Sequence, residues 1–166
     1  MDKQIKIITD LLINTFGNTI RICEIQNNTS HMGFFKIKAE YLPLNYKLIL
    51  EHTEGIFNIL ILDTDGAQTS LHSYEKYESQ LNNKNVSNAL VILKRMLEEN
   101  SFDFLVNIND EYFFKNSKNG EMSRISKKQL LDMRKNWKRN MKRLKIKFEY
   151  KCFPVWIYGE DNRANR

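Results

Sequence analysis

Apolar residues recur along most of this chain every three to four residues or every second residue, the periods of a helix and of a strand. Helical spacing comes first and predicts a short amphipathic helix that ends at Gly17-Asn18. Its apolar positions are Ile5, Ile8, Leu12 and Phe16. Residues 20–26 are then rich in β-branched side chains, and residues 35–41 alternate between apolar and charged ones. Both segments are predicted to be strands, the second with one face in the core.

The strand pattern continues around clear turn residues. Strands are predicted over residues 46–52 and 56–63, and the second is apolar on both faces at 59–62, as in a central strand. Asp63-Thr64-Asp65-Gly66 is a predicted turn. The polar run that follows is predicted to contain a short helix over residues 74–81.

A stronger helical pattern follows, with an N-cap predicted at Asn85 or Ser87 and an end at Asn100. Its apolar positions are Val86, Leu90, Leu93 and Leu97. Strand-like alternation on both sides of Asn109-Asp110 then predicts a β-hairpin, and a short strand is predicted over residues 122–125.

The longest predicted helix, residues 126–145, opens with the capping box formed by Ser126 and Gln129. Its apolar positions are Leu130, Met133, Trp137, Met141 and Leu144. We expect this stripe to pack on the sheet, because it would otherwise be a large exposed apolar patch. Residues 146–152 alternate as a final strand that stops near Pro154.

These elements predict an α+β fold: a mostly antiparallel sheet of about five to seven strands packed against two or three helices, with a long basic C-terminal helix followed by a final strand. Residues 1–158 are predicted to form a single domain, followed by a frayed tail at 159–166. With 166 residues, 42% of them hydrophobic, the chain can build a core without metals or disulfides. Cys23 and Cys152 lie within apolar alternations and are predicted to be buried thiols.

Charge divides the chain into an acidic body and a basic tail. Residues 1–122 carry 12 Lys and Arg against 16 Asp and Glu, whereas residues 123–166 carry 14 against 4. Like charges four residues apart on the predicted helix repel one another, so we expect a neutralising partner. The candidate contact residues are Arg134, Lys135, Lys138, Arg139, Lys142 and Arg143. An acidic protein, a nucleic acid and the protein's own body remain open as that partner.

Sequence motifs for catalysis are scarce. The chain has no phosphate-binding glycine motif, no nucleophile elbow and no His or Cys spacing suited to a metal, so neither a cofactor nor a metal is predicted. Glu149 and Lys151 share one face of the last strand, as in metal-dependent nucleases of the PD-(D/E)xK type, with Asp110 or Asp132 as the further carboxylate. A metal-dependent nuclease is kept as a further alternative function, although we expect that the protein is not an enzyme.

The order of several segments resembles small bacterial immunity proteins that are encoded beside polymorphic toxins. The resemblance covers at best residues 1–125 and leaves out the basic helix. The segments that carry it are Tyr46–Glu51, Gly55–Ile59, Asp65–Ala67, Asn85-Val86, Phe102–Phe104 and Tyr112–Lys115. It implies no catalytic residues and tight inhibition of one toxin domain.

The sequence therefore predicts a non-catalytic binding protein of the immunity or inhibitor type, which acts by complexing a partner protein. Nucleic-acid binding through residues 126–145 is the alternative. The chain lacks a signal-peptide pattern and any apolar run of membrane-spanning length, so we expect a cytoplasmic protein with no membrane partner.

Overall fold

The computed structural model of the chain describes residues 3–28, 34–53, 55–133 and 135. Within these residues, two α-helices and eight strands form an α+β architecture, and residues 127–133 are helical as well. The helices are α1 (Lys3–Phe16) and α2 (Asn83–Glu99). The strands are β1 (Ile20–Asn28), β2 (Phe34–Tyr41), β3 (Tyr46–Thr53), β4 (Ile56–Leu62), β5 (Gln68–Ser70), β6 (Asp103–Ile108), β7 (Glu111–Asn116) and β8 (Met122–Arg124).

In the described part of the chain, the eight strands form one sheet in which spatial order repeats chain order, from β1 at one edge to β8 at the other. The pairs from β1 to β6 are antiparallel. The prediction of five to seven strands was wrong, because β5 is only three polar residues long and has no hydrophobic alternation to reveal it. The central position predicted for β4 is confirmed.

One face of the sheet and the two α-helices enclose the core. Every second residue of β2, β3 and β4 is buried, and these residues form one cluster with the apolar stripes of both helices. Ile5, Ile8, Leu12 and Phe16 supply the stripe of α1, as predicted. Val86, Leu90, Leu93 and Leu97 belong to the stripe of α2. Both α-helices therefore cover the same face of the sheet.

α2 begins earlier than predicted but ends at the predicted residue. The helix begins after Asn82, whose side-chain oxygen accepts a hydrogen bond from the Asn85 N–H at 2.9 Å, so the predicted cap at Asn85 or Ser87 was wrong. The first turn is polar and therefore precedes the apolar stripe that located the helix in the sequence. The predicted end at Asn100 is confirmed, and this residue caps the helix in the left-handed conformation (φ 46°).

Residues 71–81 do not contain the helix predicted at 74–81. They consist of a 3-10 helix, Leu71–Ser73, followed by irregular backbone. The hairpin around Asn109-Asp110 is confirmed. Both residues have positive φ, as the two central residues of a type I′ turn require. No helix among the described residues is both long and apolar enough to cross a membrane.

The chain divides into two compact units. One consists of Met1–Val106 with Phe114–Ser123, and the other of Asn107–Phe113 with the residues from Arg124 onward. The last predicted strand, the predicted tail and most of the predicted basic helix lie outside the described residues. The single domain predicted over residues 1–158 therefore stays a prediction.

Candidate interaction surface

The face of the sheet turned away from α1 and α2, here called the outer face, carries a mixture of charged and aliphatic side chains. Strand pairing places seven charged residues on this face of β1, β2 and β3. They are Arg21, Glu24, Lys36, Lys38, Glu40, Lys47 and Glu51. The whole outer face from β1 to β5 belongs to one compact unit, so its geometry is set by the strand register.

A β-bulge in β1 sets which of its residues reach the outer face. The register with β2 shifts between Ile22 and Glu24, so that Cys23 is the extra residue. Ile22 therefore stays opposite Ala39 on the core face, while Glu24 lies opposite Lys38 on the outer face. Without the bulge, residues 22 and 24 would share one face.

The bulge also explains why the prediction for Cys23 was wrong. This thiol is exposed, although the alternation around it suggested burial. The apolar positions of β1 change phase after Ile22 and resume at Ile25, which is the sequence signal of an inserted residue. Cys152 lies outside the described residues.

Ion pairs cross the strands of the outer face and neutralise most of its charge. Lys38 Nζ lies 2.7 Å from Glu24 Oε2, and Arg21 pairs with Glu40 in the neighbouring row. Lys36 Nζ is 3.6 Å from Glu51 Oε2 across β2 and β3. The hydrogen bond from Lys38 lowers the pKa of Glu24. These pairs join side chains that are partly exposed, so they define a charge pattern more than they stabilise the fold.

Aliphatic side chains lie beside these charges at the middle of the sheet. Ile49 of β3 is directly opposite Leu60 of β4, and Leu62 follows two residues later on the same face. All three are half-buried. On their far side Ser70 and Gln68 of β5 lie opposite Leu60 and Leu62 and give this border an uncharged polar rim. The outer face thus has an aliphatic centre with charged residues on one side and neutral polar residues on the other.

Residues 71–81, here called the edge strap, border this surface where β5 ends. β5 pairs only with residues 60–62 of β4, which leaves the N–H groups of Phe57 and Ile59 without a strand partner. The strap supplies their acceptors: Ser79 O at 2.7 Å from the Phe57 nitrogen and the Tyr77 hydroxyl at 3.2 Å from the Ile59 nitrogen. The strap therefore completes the backbone hydrogen bonding of β4 with one main-chain carbonyl and one side-chain hydroxyl.

The turn between β4 and β5 contains the one buried carboxylate of the described residues, Asp63. Its Oδ1 accepts hydrogen bonds from the backbone N–H groups of Asp65 and Ala67 at 3.0 and 2.8 Å, and its Oδ2 lies 3.0 Å from Lys115 Nζ. Lys115 also pairs with Asp65, and the two carboxylates raise the pKa of this lysine. Both oxygens of Asp63 are thus engaged in holding the turn, which gives it a structural role.

Of the six basic residues predicted as partner contacts, Lys135 alone has a described side chain. It is exposed, and its Nζ lies 3.9 Å from Asp132 Oδ1. The other five lie outside the residues whose side chains are described, so their contact role stays a prediction. The capping box that opens this helix is confirmed: the Gln129 N–H donates to Ser126 Oγ at 3.2 Å, and Gln129 Oε1 accepts from the Ser126 N–H at 2.8 Å.

The described residues offer no metal centre. Across residues 3–28, 34–53, 55–133 and 135, no three His, Cys, Asp or Glu side chains are placed to hold a metal ion. Glu149 and Lys151 of the nuclease alternative lie outside this part of the chain.

The outer face was not predicted as a site from the sequence. Lys36, Lys38 and Glu40 alternate with apolar residues, and this pattern revealed a half-buried strand but not the residues beside it. Comparisons of the chain with protein-family models, with curated proteins and with solved structures give no match.

Proposed function

We propose that this protein is a non-catalytic binding protein of the immunity or inhibitor type, and that it holds its partner protein against the outer face. The observation that carries the proposal is the aliphatic centre formed by Ile49, Leu60 and Leu62 beside a charged border. Protein interfaces combine an apolar centre with a polar rim in this way. The order of sequence segments that resembles immunity proteins supports the same class.

The charge pattern of the outer face favours a protein partner over a polyanion. On β1 to β5 its charged residues are four basic and three acidic, and all three of these acids are ion-paired. A phosphate backbone would meet these carboxylates as well as the cations, with little net attraction. A protein surface of mixed charge around aliphatic side chains complements this arrangement, because each ion pair of the outer face can form further contacts with charged groups of the partner.

The variant Leu60→Lys tests the contact surface. Leu60 is half-buried at the aliphatic centre, and the lysine stem can follow its path while the ammonium reaches solvent. We expect the variant to fold with an unchanged circular dichroism spectrum and to lose partner binding by about tenfold or more, the scale of a central interface residue. The tagged protein, expressed in its native host, is recovered with its partner by cross-linking and mass spectrometry, and the affinity of that partner is then measured by calorimetry.

Val91→Lys is the matched control, because Val91 is 61% exposed on α2, away from the outer face. The control is expected to bind as the wild type does. Equal binding by Leu60→Lys and the wild type would overturn the assignment of the surface. Repeated recovery of no protein partner, together with the absence of a toxin gene beside the coding gene, would overturn the proposed class.

A further inference from the structure

His72 sits in the edge strap in an environment that disfavours its protonation. Its imidazole stacks in parallel on the Tyr77 ring, with 3.7 Å between ring centroids and 8° between ring planes. The same Tyr77 carries the hydroxyl that accepts the Ile59 N–H. His72 therefore contacts the residue whose hydroxyl accepts a hydrogen bond from the edge of β4.

The strap is anchored at other points by groups that do not titrate near neutral pH. The Tyr74 hydroxyl donates to Asp103 O at 2.7 Å, and Leu71 is fully buried in the core. The half of the strap that contains Tyr77 and Ser79 accepts two hydrogen bonds from β4: the Phe57 N–H donates to Ser79 O, and the Ile59 N–H donates to the Tyr77 hydroxyl. Local opening of this half would break those bonds and the ring stack, together with the hydrogen bond from Asn85 Nδ2 to Gln80 O and the packing of Tyr77 and Leu81 on the core.

Titratable groups on the neighbouring elements lie opposite β4 or act on the tyrosines and Glu75 of the strap, and His52 of β3 is directly opposite Phe57. Glu51 of β3 acts on the hydroxyl of Tyr77, Glu75 of the strap pairs with Arg95 of α2, and Asp103 of β6 lies beside the Tyr74 hydroxyl. The cause that lowers the pKa of His72 is burial, with no charged partner among the described residues. A protonated imidazole would be attracted to the Tyr77 ring face, but it would remain poorly solvated where it lies.

We propose that His72 makes the edge strap a pH-sensitive cover of β4, which opens when the imidazole is protonated and frees the N–H groups of Phe57 and Ile59. In the closed state the histidine binds a proton less readily than in an open, solvated state, whose pKa is about 6.5. The closed state is therefore fully favoured above about pH 6.5 and loses stability as the pH falls below it. A freed strand edge is a template for pairing with another strand.

Hydrogen exchange at the Phe57 and Ile59 amides, measured by NMR between pH 7.5 and 5.0, tests the proposal without any partner. After correction for intrinsic exchange, their protection is expected to fall by up to tenfold per pH unit below about pH 6.5, the limit for one proton. The Leu48 amide of β3, which lies beside β4 in the core sheet, is expected to keep its protection. The imidazole titration in the same spectra should give a pKa below about 6.5.

The variants His72→Phe and His72→Gln separate protonation from other acid effects. Phenylalanine keeps a ring on Tyr77 and glutamine keeps a polar side chain, and neither can be protonated, so protection at Phe57 and Ile59 should be independent of pH in whichever variant folds. Three results would each overturn the proposal: constant protection in the wild type, greater protection at acid pH, or the same loss in both variants. None of them bears on the proposed partner binding.

Discussion

Asp63 shows how a single buried charge can define a turn. Its carboxylate is 5% exposed and binds two backbone N–H groups and the Lys115 ammonium. A buried carboxylate is tolerable only when its oxygens are paired in this way. The sequence motif Asp63-Thr64-Asp65-Gly66 predicted the turn, but the pairing with a lysine 52 positions later is a tertiary contact that local sequence does not contain.

Asp63→Ala is expected to destabilise the protein by about 1–3 kcal/mol, because the N–H groups of Asp65 and Ala67 lose their acceptor. Urea unfolding, followed by circular dichroism, measures the change. Asp65→Ala is the matched control: this carboxylate is 70% exposed, and its ion pair with Lys115 should contribute less than about 1 kcal/mol. Equal losses in the two variants would contradict the structural role given to Asp63.

At the scale of elements, β1, which is at the edge of the sheet formed by the described residues, illustrates how an edge strand avoids unwanted pairing. It pairs with β2 on one side, and the bulge at Cys23 locally increases the twist of its other edge. Charged residues and bulges both discourage strand addition at a sheet edge. Ile25, on the core side of β1, is still 37% exposed, so the edge retains some apolar surface.

Deleting Cys23 should convert β1 into a regular edge strand. The pairs of Ile22 with Ala39 and of Glu24 with Lys38 can persist without the extra residue, so we expect a cooperative thermal transition. The flatter edge should increase self-association with protein concentration, measured by sedimentation velocity. Cys23→Ser keeps the bulge and is the control, and a deletion variant as monomeric as this control would refute the protective role of the bulge.

Elements with a long, regular hydrophobic period could be predicted from the sequence, whereas β5 and the irregular backbone of the edge strap could not. α1, α2 and the strands β2, β3 and β4 each have several buried residues at one spacing. β5 and the edge strap are held on β4 by hydrogen bonds, and the strap also packs Leu71 into the core without a regular hydrophobic spacing, so neither has a local sequence pattern that distinguishes it from a loop. The start of α2 was missed for a related reason, since its first turn is capped but has no apolar contact.

The candidate surface was harder to predict than the fold, because it depends on how strands pair. Ile49 and Leu60 are 11 positions apart and become neighbours only through the register of β3 with β4. The sequence drew attention instead to the basic residues of 126–145, whose charge is visible without any pairing.

At the scale of the whole molecule, the split of charge between an acidic body and a basic tail predicts how the protein binds nucleic acid. A tail with 14 basic and 4 acidic residues is expected to bind duplex DNA without sequence preference at low salt. If the function is protein binding, this binding to DNA should be lost as the salt concentration rises from about 50 to about 200 mM, as expected for a few phosphate contacts. Fluorescence anisotropy with a labelled duplex measures it.

The double variant Lys138→Glu/Lys142→Glu should weaken the low-salt binding, while Lys3→Glu/Lys6→Glu on α1 changes the net charge equally and should affect it less. Tight binding that persists at physiological salt and is lost in the tail variant would favour nucleic-acid binding as the function.

The strand order has a consequence for how the protein is made. Because each strand lies beside its neighbours in the chain, every hairpin can close soon after its second strand leaves the ribosome. The core face of β2, β3 and β4, however, needs the stripe of α2, which is synthesised some twenty residues after β4 ends. When the nascent chain has emerged from the ribosome as far as Leu62, its paired strands still have part of their apolar face uncovered, and ribosome-associated chaperones are expected to have most to bind during this interval.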